Sequence, residues 1–440
     1  MKRLNVLISA HELSPFQGSE CSEGWNIVSR LGLYHNLTVL YAKGSQFKPQ
    51  AYETALNKYF SENPNPYNIN FIPIEQPRTT LFLVAINKLI SKKNTSIGNP
   101  VLYFLGYKLW EKKAYEKAKQ LSTHTTFDIT HHLTSISYRE PGFLWKLPVP
   151  FVWGPTGGMS TIPVSYFRFI GLKSAVFEVI RSAINTIQFY TNIRIFKAIK
   201  HSSLIYTFSK EDQSLFAKRM GKLPKLMLDA ASVAMQNHGI KDEYSDPNYL
   251  SIVWCGQLIK RKALQIVFFA LSSDDQLKKR IKLKIVGSGP MENYYKTLSG
   301  SLGLNDSVEW MGQVDRQKVF DIMKKSDLFV HSSYREATSN VIPEALSNGL
   351  PVICHDINGM SIAINDTCGI KIPLISPEIS IEGFKNALLT LVNNPEKLTT
   401  LRLGAFERAK EISWDSMAEI IANDYYVTYK KKNHEGIINK

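Results

Sequence analysis

The chain has 440 residues, 44% of them hydrophobic and 21% charged, with a formal net charge of +15. This composition excludes a disordered or low-complexity chain and supplies apolar mass for two or three domain cores. The charge calls for an anionic partner, such as a nucleotide, a nucleic acid or an anionic membrane face, and no apolar run approaches the roughly 20 residues that span a bilayer.

The opening MKRLNVLISAHELSPF reads as a first strand over residues 4–10, because Asn5, His11 and Glu12 interrupt the apolar run a leader peptide needs. A loop at 11–19 leads to a helix over 20–33 and a strand over 37–41, a βαβ unit that opens a parallel sheet. Gly18 and Ser19 lie in that loop, where a glycine lets backbone approach a ligand phosphate. The loop is not GxGxxG and Ala42-Lys43 follow the second strand, so a nicotinamide dinucleotide site is not expected. A helix over 50–61 and a strand over 69–74 come next. Residues 81–120 then carry eight lysines against two glutamates.

A strand over 127–134 contains His131 and His132, and another over 149–153 runs into Gly154-Pro155-Thr156-Gly157-Gly158. Both read as strand carboxyl ends facing a cleft, where an imidazole is placed to hydrogen-bond a ligand. Residues 161–200 form a second basic, aromatic stretch with Glu178 as its one acid. Such a stretch suits either an anionic membrane face or a core helix with a solvated cationic side. A strand over 204–209 and a helix over 211–220 follow, and the aperiodic residues 221–249 mark the domain junction.

The pattern then restarts. A strand over 251–255 meets the turn GQLIKRKAL, which sets Arg261 and Lys262 at a strand-to-helix junction as point charges for a diphosphate. A strand over 283–286 ends in Gly287-Ser288-Gly289-Pro290, and a strand over 308–311 and a helix over 316–325 lead to DLFVHSSYREATSNVIPEALSNGLPVICHD. That stretch reads as strand, loop, short helix and strand, with Pro343 in the first helical turn and Gly349 just past the helix end. Glu336 falls at a strand carboxyl end, where open α/β sheets bind ligands. The N–H groups of Ser339, Asn340 and Val341 lie at a helix N-terminus suited to an anion, and Glu344 can accept both hydroxyls of a ribose. Further helices over 379–391 and up to 409 precede a final helix capped by Ser413, with a frayed tail at 430–440. Four cysteines, Cys21, Cys255, Cys354 and Cys368, have no metal or redox spacing and read as buried thiols of a reducing compartment.

Glu336 and Glu344, followed by EALSNGLPVI, resemble the donor-site signature of retaining glycosyltransferases of family 4. The stretches HELSPFQGSECSEGW, FDITHHLT and PFVWGPTGG resemble further parts of that family. The resemblance implies the GT-B fold, two Rossmann-like parallel-sheet domains facing each other across a cleft. It implies an acceptor-side domain over 1–225, a nucleotide-sugar domain over 226–412, and a final helix at about 413–430 crossing back onto the first. The implied activity is retaining, metal-independent transfer of a sugar from a UDP- or GDP-linked donor to a sugar or lipid-linked acceptor, in surface polysaccharide or glycolipid synthesis. Implied catalytic residues are Glu336, His131 and His132, and implied donor contacts are Gly18, Ser19, Arg261, Lys262, Gly287, Ser339, Asn340, Val341 and Glu344. No cofactor and no nucleic acid are expected, and the location is cytoplasmic, at most peripheral on the inner membrane face. One departure stands out: Gln257 replaces the arginine the family usually carries after the turn glycine. A sugar-nucleotide epimerase of the same fold and a non-catalytic membrane- or polymer-binding scaffold remain as alternatives.

Overall fold

The structure is a computed structural model that describes residues 2–65, 67, 69–91, 98–221, 223–232 and 248–438. Much of the expected junction, residues 222 and 233–247, lies outside them, as do residues 92–97 of the first basic stretch.

The first half contributes β1 (Asn5–Ala10), α1 (Glu20–Leu31), β2 (Asn36–Ala42), α2 (Ala51–Glu62), β3 (Asn70–Ile74), α3 (Arg78–Ile90), α4 (Pro100–Leu121), β4 (Ile129–Thr134), β5 (Phe151–Thr156), α5 (Phe167–Ile170), α6 (Leu172–Thr191), α7 (Ile193–His201), β6 (Ser202–Thr207), α8 (Lys210–Met220) and β7 (Lys225–Leu226). The strands form one sheet in the order β3-β2-β1-β4-β5-β6-β7, and every pairing is parallel. Helices cover both faces of the central strands, so β4 is buried along its whole length, its Thr and His side chains included, and β1 is buried from Val6 onward.

The second half contributes β8 (Leu250–Cys255), α9 (Leu264–Ser272), α10 (Asp275–Arg280), β9 (Ile281–Val286), α11 (Glu292–Ser301), β10 (Val308–Gly312), α12 (Arg316–Lys324), β11 (Leu328–His331), α13 (Val341–Ser347), β12 (Val352–His355), α14 (Asn358–Ala363), β13 (Gly369–Ile372), α15 (Pro377–Asn393), α16 (Pro395–Glu411) and α17 (Trp414–Ile438). Its sheet order is β10-β9-β8-β11-β12-β13, again parallel. In each sheet the order reverses once, between β1 and β4 and between β8 and β11. Those switch points are where open α/β sheets leave a crevice at their carboxyl ends.

Two segments cross between the halves. Helix α17 lays Trp414, Met417, Ala418, Ile421, Ala422 and Tyr425 into the core of the first sheet, and Arg30 holds Asp415 at 2.8 Å. In the other direction Ile162, Tyr166, Ile170 and Ala175 belong to the core of the second sheet. Tyr166 donates to the Ser376 carbonyl at 2.8 Å, and its ring lies 5.0 Å from that of Tyr334.

Three sequence expectations shift. The strand expected over 127–134 starts two residues later, at Ile129, and ends at Thr134. Helix α9, which the sequence reading starts at Lys262 and ends at Ser272, begins at Leu264, because Ala263 takes a left-handed φ of 52° and breaks the turn there. Helix α17 continues to Ile438, so Lys431 and Lys432 extend a helix instead of a frayed end.

Candidate active site at the two switch points

The turn after β8 is built around Lys262. Its aliphatic stem passes Gly256, where an added Cβ would meet the lysine chain at 3.6 Å. Its carbonyl accepts from the Ser332 hydroxyl at 2.9 Å, which pins the turn to the end of β11. The Tyr334 N–H donates to the Arg261 carbonyl at 2.9 Å, a second pin between the same two loops. These bonds bring both cations to one carboxylate. Glu336 Oε1 lies 2.7 Å from Lys262 Nζ and 2.6 Å from the Arg261 guanidinium. Lys262 is buried, while Arg261 is part exposed. Burial would raise the Glu336 pKa, but the charges of Lys262 and Arg261 outweigh it and hold the carboxyl at about 2.

Glu344, in the first turn of α13, is largely buried and takes Arg316 at 2.8 Å. Burial raises its pKa and Arg316 partly offsets this. Ser339 is buried and its carbonyl accepts the Ile342 N–H at 2.9 Å, whereas Asn340 is exposed and Val341 half-buried. Just before them, the Thr338 N–H donates to Asp229 at 2.7 Å. Gly287 sits at the end of β9 with φ 127°, and a Cβ there would lie 2.0 Å from the Gly256 carbonyl oxygen. Its lack of a side chain therefore serves the close approach of two turns, those after β8 and β9. Gln257 is exposed, and Arg261 is the arginine this site brings to Glu336.

The first-half residues divide. Gly18 and Ser19 are exposed at the start of α1, and a Cβ on Gly18 would meet nothing within 4 Å. Ser19 has φ 57°. Among the described residues, the non-glycine residues with positive φ, Ser19, Ala263 and Asn358, all follow strand carboxyl ends, where strained backbone tends to collect at functional sites.

His131 and His132 do not face a cleft, and this corrects the sequence reading. They sit inside β4, so their side chains leave opposite faces of the sheet into packed helices. His131 is fully buried between the Gly154 carbonyl, 2.7 Å from Nε2, and the Tyr425 hydroxyl, 2.5 Å from Nδ1. His132 is fully buried with Glu111 at 3.7 Å. Burial pushes the two imidazoles down to about 4 and about 3, so both are neutral at physiological pH.

Four acidic residues that the sequence did not single out complete the arrangement. Glu12, Glu20 and Glu23 come from the β1–α1 end, and Asp229 comes from the segment after β7. Glu20 accepts from the Ile136 N–H at 3.4 Å. Burial, then the charge of Glu12, raises Glu20 to about 8. Burial raises Asp229 to about 6, with Glu336 adding to it. Asp229 thus links the acid-rich end of the first sheet to the Glu336 loop. Its signal in the sequence was absent, because it lies in a stretch without periodicity. Arg335 is another omission: it pairs with buried Glu178 of α6, across the two halves.

Two parallel doubly wound sheets with their switch points turned to a shared set of loops define the GT-B fold. Residues 237–408 match the family model "Glycosyl transferases group 1". A D-inositol 3-phosphate glycosyltransferase of Streptomyces bingchenggensis is 28% identical over 191 residues, covering 41% of this chain and 41% of that protein. The chain therefore matches about two fifths of the length of this curated relative. Solved structures match almost end to end. A sucrose-phosphate synthase from Thermosynechococcus elongatus gives a TM-score of 0.63 at 13% identity, covering 98% of this chain and 100% of that one. Anabaena HepE in complex with UDP and glucose gives 0.52 at 14% identity, covering 97% and 100%.

Proposed function

We infer that the protein transfers a sugar from a nucleotide-diphospho-sugar, UDP- or GDP-linked, to an acceptor hydroxyl with retention of anomeric configuration. The observation that carries this reading is the convergence of Lys262 and Arg261 on Glu336 at the second switch point. Departure of a nucleoside diphosphate leaves negative charge on phosphate oxygens. A buried lysine already held in place stabilises that charge without reorganising, which is the most effective form of electrostatic catalysis. Lys262 and Arg261 take this role here in place of a metal ion. Glu336, released from one of its cations as the diphosphate engages them, contacts the sugar beside the reacting carbon. Glu344 accepts the ribose hydroxyls, and the two halves exclude water from the donor. The family match and the UDP and glucose held by the HepE structure support a nucleotide-sugar donor. The strongly basic chain supports an acceptor on a surface polysaccharide or glycolipid precursor.

The test is a thermal-shift series with UDP, GDP and ADP and their sugar conjugates, on wild type and Glu344→Ala, followed by product analysis with and without EDTA. Selective stabilisation by one nucleotide that is lost in the variant, with EDTA-resistant turnover, is expected. No shift with any nucleotide overturns the donor reading. Turnover of the donor to a free isomer without acceptor overturns the transfer reading in favour of epimerisation.

A further inference from the structure

Helix α6 has two unlike faces. Its inner face carries Ala175, Glu178, Asn185 and Phe189, all buried. At 100° per residue, its outer face is an arc of roughly 140° that carries Leu172, Val176, Phe177, Ile180, Ile184 and Ile187. All six are exposed, Leu172 at 80%, Phe177 at 63% and Ile187 at 60%. Single exposed apolar side chains are ordinary, but a contiguous stripe of this length marks an interaction surface.

The charges around the stripe identify what covers it. Over residues 161–201 the only acid is Glu178, and it is buried against Arg335 and Arg181. Arg181 is thereby engaged, and Arg194 is held by Glu140 at 2.6 Å. Arg168, Lys173, Lys197 and Lys200 are exposed. Along residues 161–201 the exposed side chains are apolar, polar or cationic, with no exposed carboxylate among them. A second copy of the chain, related by a two-fold axis, would set these cations against one another. An anionic lipid surface matches both components, since apolar side chains enter the boundary between headgroups and acyl chains while lysines meet the phosphates. Among the described residues no helix is long and apolar enough to cross a membrane, and α6 keeps one side on the protein, so it lies on the bilayer.

We propose that the outer face of α6 docks the protein on an anionic bilayer, with Arg168, Lys173, Lys197 and Lys200 facing the headgroups. This goes beyond the sugar-transfer reading. It also has a bearing on the site, because the inner face of α6 holds Arg335 through Glu178, one residue before Glu336.

The experiment is flotation of the full chain, without nucleotide, on vesicles of phosphatidylcholine alone and of phosphatidylcholine with phosphatidylglycerol. Wild type floats with the anionic vesicles only. Phe177→Asp with Ile184→Asp stays at the bottom, with an unchanged thermal midpoint because both positions are exposed in the free protein. Lys173→Gln and Lys197→Gln each weaken partitioning about fivefold. Wild type that ignores anionic vesicles overturns the proposal, and so does a double aspartate variant that floats like wild type. A dimer in sedimentation that Ile184→Asp dissociates, with no vesicle binding, overturns it in favour of a second copy. Nucleotide is absent throughout, so failure here leaves the donor reading to its own titration.

Discussion

The Lys262 ammonium lies 2.7 Å from Glu336 Oε1, across the switch point of the second sheet, and the pair is almost closed to solvent. In the ligand-free protein these two groups neutralise each other. A diphosphate that competes for Lys262 changes the charge state felt by Glu336 without any large movement of backbone.

Lys262→Ala is expected to lower turnover about a hundredfold or more, because it removes one fixed donor to the leaving group. Arg261 alone would hold Glu336, so the variant remains folded. Steady-state kinetics with matched circular dichroism checks this, and turnover within threefold of wild type would remove Lys262 from the mechanism.

Glu344→Ala separates binding from stability. Its partner Arg316 is mostly exposed, so loss of the ion pair costs at most about 1 kcal/mol of folding free energy. Loss of a charged acceptor to ribose weakens nucleotide binding by about 1.5–3 kcal/mol, tenfold or more. Calorimetric titration reads the affinity; an unchanged value would exclude the ribose contact.

Glu20 and Glu336 give stability opposite pH slopes. Glu336 is held at about 2, below its ordinary 4.5. Its stabilising contribution is present above the ordinary value and is lost as pH falls towards 2. Glu20 is raised to about 8. Between 4.5 and 8 the unfolded chain ionises this carboxyl and the folded chain does not, so stability falls as pH rises through that window. Glu20→Gln should flatten the decline between pH 5 and 8 in urea unfolding, and an unaltered slope would refute the assignment.

Gly287→Ala should destabilise the second half by about 2–3 kcal/mol, since a Cβ 2.0 Å from the Gly256 carbonyl oxygen forces two turns apart. The midpoint of unfolding measures it, and a wild-type midpoint would show that the turns have room to separate.

The second half was the more legible from sequence, for a physical reason. Strand, turn and helix are local there, and the residues that meet at Glu336 sit in turns whose glycines and prolines punctuate the chain. The parallel sheets followed from the same signals, and the GT-B architecture from the family resemblance. What escaped was set by distant partners. A buried His in the middle of a strand and one at its end have the same sequence neighbours, and only Tyr425, from near the end of the chain, shows that His131 is closed off. Asp229 and Arg335 matter through contacts that span the two halves, for which no local pattern exists. The basic stretch at 161–200 left membrane face and core helix undecided because Arg181 and Arg194 look free in sequence, while Glu178 and Glu140 hold them in the fold.

The two cores are interleaved along the chain. The last helix completes the first core, and Ile162, Tyr166, Ile170 and Ala175 complete the second. A cut at any single peptide bond between the sheets would strip each fragment of side chains that the other fragment keeps. Heat should therefore melt both sheets in one calorimetric transition, with the calorimetric and van't Hoff enthalpies equal. By the same token, a gene fusion that swaps one half for a relative's half inherits two mismatched surfaces.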